Sequence, residues 1–343
     1  MIVTRAPLRI PLGGGGTDFP GYYTRHGGYI LGFALNKYVH VVLNDTIDGK
    51  IRLKYSKNEV VDDVDDLENR VAAEALKTYG VTSGVEVATF ADVPESSGLG
   101  GSSAFCVALV VALRHKLGKS LDKYEIFQSA YDIERTKAGQ SGGVQDQLFA
   151  SLGGAWRTLL GDGKPQLEMV DLSKLLPRLK LVYTNIRRTS MDIAIKQTRD
   201  TEAEDKTVLE SLALTKKLGL EIETCIKEER LDEIGNLLNT HWINKKRRNT
   251  QISSPDLEAL YGKAMRDGAT GGKLLGLGGG GYFLFYVPDQ LSDFDTIPFE
   301  IDWTGGCVVY SDQREVNENG LRNHSRNSAR TKKRRGAAQK KEW

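Results

Sequence analysis

At 343 residues, 40% hydrophobic and 27% charged, the chain has an ordinary globular composition and enough length for two domains. Its three cysteines, Cys106, Cys225 and Cys307, are too few and too scattered for a disulfide framework or a zinc site, and no run reaches the ~18 apolar residues of a membrane span. The net charge of +2 conceals a split: residues 313–343 carry ten Lys/Arg against three Glu, a net of +7, so residues 1–312 sum to −5.

No basic segment followed by an apolar stretch opens the chain, so a cytoplasmic protein is expected. Taken in order, β-branched and aromatic enrichment predicts strands at 38–43, 51–55, 84–90, 180–184 and 281–287. Apolar periodicity predicts helices at 67–78, 102–117, 123–136, 209–229, 231–243 and 256–267. Strands and helices mix in the first half, residues 190–268 are largely helical, and a strand pair closes the chain. An α+β arrangement of two domains joined near 160–180 is expected. The tail from 313 has almost no aliphatic content and is expected to be disordered. It is read as a solvated segment rather than a nucleic-acid arm, and Cys106, in an apolar run, as core.

Glycine is concentrated in three clusters, at 13–16, 98–101 and 271–281. The second is the most informative: residues 94–103, Pro-Glu-Ser-Ser-Gly-Leu-Gly-Gly-Ser-Ser, follow a predicted strand and open an apolar helix. Glycines let successive N–H groups converge, and a helix N-terminus adds unpaired donors and partial positive charge, so an anion belongs there. A plain strand-to-helix turn would need one glycine and one cap. No Walker motif occurs. The third cluster does contain Gly276-x-Gly278-x-x-Gly281, but a strand follows it where a dinucleotide fingerprint requires a helix. It is read as close backbone packing against another loop or a ligand.

The three clusters, in this order and separation, resemble the GHMP kinase superfamily over residues 1–310. Its Pro-x-x-x-Gly-Leu-Gly-Ser-Ser-Ala motif is matched from Pro94 to Ala104, with Gly101 in place of the first serine. Ala6-Pro7-Leu8-Arg9 and Thr17-Asp18-Phe19 are similar to the galactokinase opening, with Gly15-Gly16 where that branch has Glu-His. Within the superfamily the pattern looks most like the sugar 1-kinase branch and its heptose phosphate kinases. The resemblance implies an S5-like domain at 1–178, a ferredoxin-like domain at 179–312, and ATP with Mg2+ as cofactors. It implies Pro94, Gly98, Leu99, Gly100, Gly101, Ser102 and Ser103 around the nucleotide, and Ser102 with Glu134 on magnesium. It also implies Asp146 as catalytic base beside Arg9, Asp18, Gly15 and Gly16 on the sugar, and Gly278 and Gly279 near the substrate.

Locally, Asp146 after glycines also reads as a helix cap, and Glu134 between Arg135 and other charges as a surface ion pair. A phosphorylated substrate would need a second basic site, for which Arg187-Arg188 and the run 245–248 are candidates; Arg188 and Lys246 are favoured. The five histidines have no metal-ligand spacing. Other readings are a galactose- or fucose-type 1-kinase, a mevalonate-pathway kinase, a non-catalytic sensor on the same fold, and a nucleic-acid binder resting on the tail alone. The sequence leaves a homodimer open.

Overall fold

The computed structural model of the protein describes residues 1–186 and 191–312. The expected substrate residue Arg188 and the basic tail lie outside the described residues. The strands are β1 (Ile2–Gly13), β2 (Gly28–Asp45), β3 (Ile51–Lys54), β4 (Asn58–Val61), β5 (Val85–Ala91), β6 (Ala155–Leu160), β7 (Gln166–Met169), β8 (Leu179–Tyr183), β9 (Gly271–Leu274), β10 (Tyr282–Tyr286), β11 (Thr296–Ile297) and β12 (Cys307–Ser311). The helices are α1 (Pro20–His26), α2 (Arg70–Thr78), α3 (Gly101–Lys116), α4 (Lys123–Tyr131), α5 (Gln145–Leu152), α6 (Met191–Glu202), α7 (Lys206–Lys227), α8 (Ile234–Lys246) and α9 (Pro255–Arg266).

Two sheets organise them. The first has eight strands along the path β12-β1-β2-β5-β3-β4, with β6 and β7 continuing from β2; the second has four in the order β11-β8-β10-β9. The chain crosses between the sheets just before β8. It does not remain with the second to its end, because β12 returns to pair with β1. Residues 307–311 therefore belong to the first sheet, not to the unit at 179–312 expected from the sequence.

Helix α3 is the hub of the first unit. Every residue from 103 to 113 is buried, so the helix is apolar all round and packs on β1, β2, α4 and α5 together. An N-terminus anchored this firmly can present its N–H groups at a fixed place. In the second unit, Trp242, Tyr261, Phe283 and Phe285 form an aromatic core under the sheet, with Trp242 edge-on to Phe283 and Phe283 stacked on Phe285.

Strand β1 is absent from the sequence-based expectation, and it contains Pro7 and Pro11, residues that disfavour an interior strand. It is nonetheless twelve residues long, and its register against β2 shifts between Pro7 and Leu8 and again between Pro11 and Gly13. Its pairing with β12 stops at Arg5, so both prolines fall where that side asks for no N–H donor. The strand thus carries Arg9 from the edge of the sheet into the centre of the molecule.

Candidate active site

The loop 94–103 ends in α3, whose N-cap Gly100 takes the left-handed conformation with φ 83°. Gly98, at φ 75°, lies so close to the third glycine cluster that a Cβ on it would stand 2.7 Å from the Leu275 carbonyl. A Cβ on Gly276 would stand 2.6 Å from Gly98 Cα. The two loops cross backbone against backbone, and Tyr282 N–H donates to the Ser97 carbonyl at 3.2 Å. The third cluster is therefore a buttress for the phosphate loop. Gly278 and Gly279, expected near substrate, instead back onto Ile252; Gly279 N–H is spent on the Ile252 carbonyl at 2.9 Å.

Arg9 clasps this loop from below. Its backbone N–H donates to the Leu99 carbonyl at 3.0 Å and its Nη1 to the Gly98 carbonyl at 2.6 Å. The rest of the guanidinium grips Asp146 with two parallel bonds, Nε to Oδ1 at 2.7 Å and Nη2 to Oδ2 at 3.0 Å. Such a bidentate pair fixes the carboxylate in plane and position. Asp146 sits in the first turn of α5 and keeps 19% of its side chain exposed, against 5% for Arg9. It does not cap the helix: no side-chain cap bond is made there.

Glu134 meets α3 from the other side. It lies in a π-helical turn, Asp132–Lys137, that continues α4; such turns commonly re-aim side chains at functional sites. The carboxylate is buried and accepts from Ser102 Oγ at 2.9 Å, Ser103 Oγ at 2.7 Å and Gln147 Nε2 at 2.6 Å. Arg135 Nη1 lies 3.7 Å away. Glu134 is thus no surface ion pair. A hydroxyl and a carboxylate oxygen converging at the helix N-terminus suit a magnesium ion, which takes few protein ligands and keeps its water. No group of three or more His, Cys, Asp or Glu occurs among the described residues, so no larger metal cage competes with it.

The first glycine cluster lies on the far side of Asp146. Asp18, expected to hold sugar hydroxyls, is fully buried; Oδ1 accepts from Gly16 N–H at 2.9 Å and Oδ2 from Gln145 N–H at 3.2 Å. Burial, and then the Asp146 charge, push its carboxyl above the ordinary range. It fastens the glycine turn to the start of α5 and leaves the turn's outer face, Gly15 beside Gln145, for a ligand.

The basic run 245–248 divides by helical phase. Lys246, the expected substrate contact, points away: it pairs with Glu258 at 2.7 Å and lies over the Trp242 ring. Its neighbours turn inward. Lys245 Nζ donates to the carbonyls of Leu274 at 2.9 Å and Gly276 at 2.6 Å, and Arg248 reaches the turn at Gly16, where a Cβ would meet its Nη1 at 2.7 Å. Lys273, buried in β9, donates to the Leu12 carbonyl at 2.9 Å. Burial and the charges of Arg9 and Arg248 push its ammonium down to about 7. The sequence signal for Lys273 was its place inside the third glycine cluster; for α6, which brings Gln197 against Arg248, there was none, because its inward seam is largely polar.

A cavity of about 260 Å³ opens beside this centre, lined by Phe19, Arg135, Gln140, Ser141 and Thr198 among others. A larger one of about 660 Å³ lies against β8 and α9 and includes none of the residues above. No helix among the described residues is long and apolar enough to cross a membrane.

A helix N-terminus with unpaired N–H donors, a carboxylate clasped beside it by arginine and a hydroxyl–carboxylate pair are an arrangement that suits phosphoryl transfer. Residues 66–154 match the family described as GHMP kinases N terminal domain. Over 307 residues the chain is 31% identical to D-glycero-alpha-D-manno-heptose 7-phosphate kinase of Campylobacter jejuni, covering 83% of this chain and 89% of that one. A bifunctional L-fucokinase/L-fucose-1-P guanylyltransferase of Bacteroides fragilis is 27% identical over 83% of this chain and 34% of its own. Among solved structures, a D-glycero-D-manno-heptose 1-phosphate kinase from Bacteroides thetaiotaomicron superposes with a TM-score of 0.71 at 24% identity, covering 91% of this chain and all of that one. A sugar kinase from Campylobacter jejuni gives 0.68 at 27%, over 90% and 97% of the two chains. The chain belongs to the GHMP kinase family, and it is a sugar kinase with that family's two-domain α+β fold.

Proposed function

We propose that the protein transfers the γ-phosphoryl group of ATP to the anomeric hydroxyl of D-glycero-D-manno-heptose 7-phosphate, giving the 1,7-bisphosphate. The observation that carries the reaction is Asp146 held bidentately by Arg9 against the phosphate loop. The heptose relative, similar over most of both chains, supports the substrate. In this reading the two sheets bracket the cleft as N- and C-terminal kinase domains, and the protein works in the cytoplasm.

The triphosphate lies along residues 98–103, where α3 contributes its N–H groups and dipole. Ser102 and Glu134 would hold the magnesium ion, which would supply neutralisation of the phosphate charge. The anomeric hydroxyl sits over Asp146. As its oxygen bonds to the γ-phosphorus, the bond to the β-phosphate oxygen breaks, ADP leaves, and the hydroxyl proton passes to the carboxylate. Arg9 keeps the carboxylate aimed and, bonded to the Gly98 carbonyl, ties the acceptor and donor halves into one rigid unit.

The test is ATP consumption with heptose 7-phosphate, free heptose, galactose, fucose and mevalonate, with mass spectrometry of the product. Turnover of heptose 7-phosphate to a bisphosphate is expected. Turnover of a free hexose or mevalonate without it would replace the substrate assignment.

A further inference from the structure

Four basic side chains are buried together behind the first glycine turn: Arg248, Lys245, Lys273 and His241. Burial lowers the proton affinity of each, and Lys245, Lys273 and His241 are depressed further by the neighbouring positive groups. Among the described residues no carboxylate pairs with Arg248, Lys245 or Lys273; Asp146, the acid nearest Arg9, is already clasped by it. A folded chain rarely buries like charges without a counter-ion, since each costs several kcal/mol unless paired.

Unsatisfied polar atoms occur on Arg248, on Gln197 and on the residue that follows each in sequence. Arg248 Nε, Gln197 Nε2, Thr198 Oγ1 and Asn249 Nδ2 are all buried without a hydrogen-bond partner. Arg248 and Gln197 are each more than nine-tenths buried, and their mutual contact, Nη1 to Oε1, is a long 3.4 Å. Native structures leave few such groups orphaned, so Arg248 Nε and Gln197 Nε2, both donors and both deeply buried, mark a missing acceptor. The Arg248 guanidinium and the Gln197 amide adjoin Gly16, where a Cβ would stand 2.7 Å from Arg248 Nη1 and 3.1 Å from Gln197 Nε2.

We infer that Arg248 and Gln197, with the charge of Lys273 behind them, form the subsite for the phosphomonoester that the acceptor substrate already carries. This rests on the sugar-phosphate reading above and names the residues that would read the phosphate. A dianion with three acceptor oxygens answers both the orphaned donors of Arg248 and Gln197 and the basic cluster behind them, whose protons its charge would hold in place. The placement fits a sugar spanning two ends. Gly100 lies beside Asp146, Gln145 precedes it and lies beside Gly15, and Gly16 lies beside Arg248. A hydroxyl over Asp146 and a phosphate at Arg248 are therefore separated by the glycine turn, on which the sugar ring would lie. Lys246, paired with Glu258 on the opposite side of the helix end, takes no part.

Two variants test this. Arg248→Met keeps volume and removes the charge. Gln197→Glu places a carboxylate where Gln197 Oε1 already faces Arg248, supplying the counter-charge from within; it should fold at least as stably as wild type. With heptose 7-phosphate, both should raise KM roughly 100-fold, the loss of one or two charge-assisted hydrogen bonds, with kcat within a few-fold. KM for unphosphorylated heptose should stay unchanged. Inorganic phosphate, followed by 31P NMR line broadening, should bind wild type and neither variant. If wild type turns over no sugar phosphate, the substrate reading fails while the phosphate titration still decides the pocket. Undiminished phosphate binding by Gln197→Glu and Arg248→Met, or equal KM changes for phosphorylated and free heptose, would overturn the inference.

Discussion

Replacing Lys273 with methionine isolates the electrostatic cost of one buried ammonium. The side chain is 2% exposed in β9, makes a bond to the Leu12 carbonyl, and faces Arg9 and Arg248 without an acid. Burial first, then those two charges, bring its ammonium from 10.5 to about 7. Between these values the unfolded chain holds a proton that the folded chain has released, so stability rises with pH across this window. Below about 7 both states are protonated and the slope disappears. At 1.36 kcal/mol per tenfold, the lysine contributes a rise of about 2 kcal/mol between pH 7 and pH 9. Urea unfolding followed by the fluorescence of the buried Trp242 at pH 7, 8 and 9 measures it. Lys273→Met keeps volume and loses the ammonium, so the variant should lack about 2 kcal/mol of the wild-type rise, whatever its absolute stability. Lys245, also depressed, leaves a residual slope in both proteins. Parallel pH profiles for the two would refute the argument that Lys273 is buried uncompensated.

The remaining expectations concern the reaction centre. Asp146→Asn removes the proton acceptor but keeps the shape against Arg9, so kcat should fall at least ~100-fold while ATP still protects against thermal unfolding. Glu134→Gln should raise the magnesium concentration needed for half-maximal rate about tenfold or more; an unchanged requirement would take the carboxylate off the ion. Gly276→Ala sets a methyl against Gly98 at a positive φ, and should cost about 2 kcal/mol of stability and raise KM for ATP. A chain ending at residue 312 should retain wild-type kcat and KM, since β12 closes the first sheet before the tail begins; a loss of activity would give the tail a role.

Much of this site was legible because its chemistry is local in sequence. A strand, a loop of three glycines, two serines and an apolar helix specify a phosphate cradle wherever the chain goes, since the donors belong to the helix terminus itself. Composition and periodicity likewise determined an α+β chain with a long helical stretch before the final strands. Glu134 and Asp146, however, were each ambiguous locally, between ion pair or cap and function. Their roles depend on which partners the fold brings within 3 Å, and those lie 32 and 137 residues away. Asp18 shows the converse: a residue in the right motif whose oxygens the backbone has already taken.

The basic run 245–248 marks the boundary most clearly. The sequence determined that a cationic segment follows α8, but four adjacent charges look alike in one dimension. Only tertiary structure decided which turn inward: the helix end turns Lys246 outward to Glu258 and Trp242, and buries Lys245 and Arg248 against loops from distant parts of the chain. Burial, not residue type, separates a solvated charge from a binding charge, and burial is a property of the whole packing.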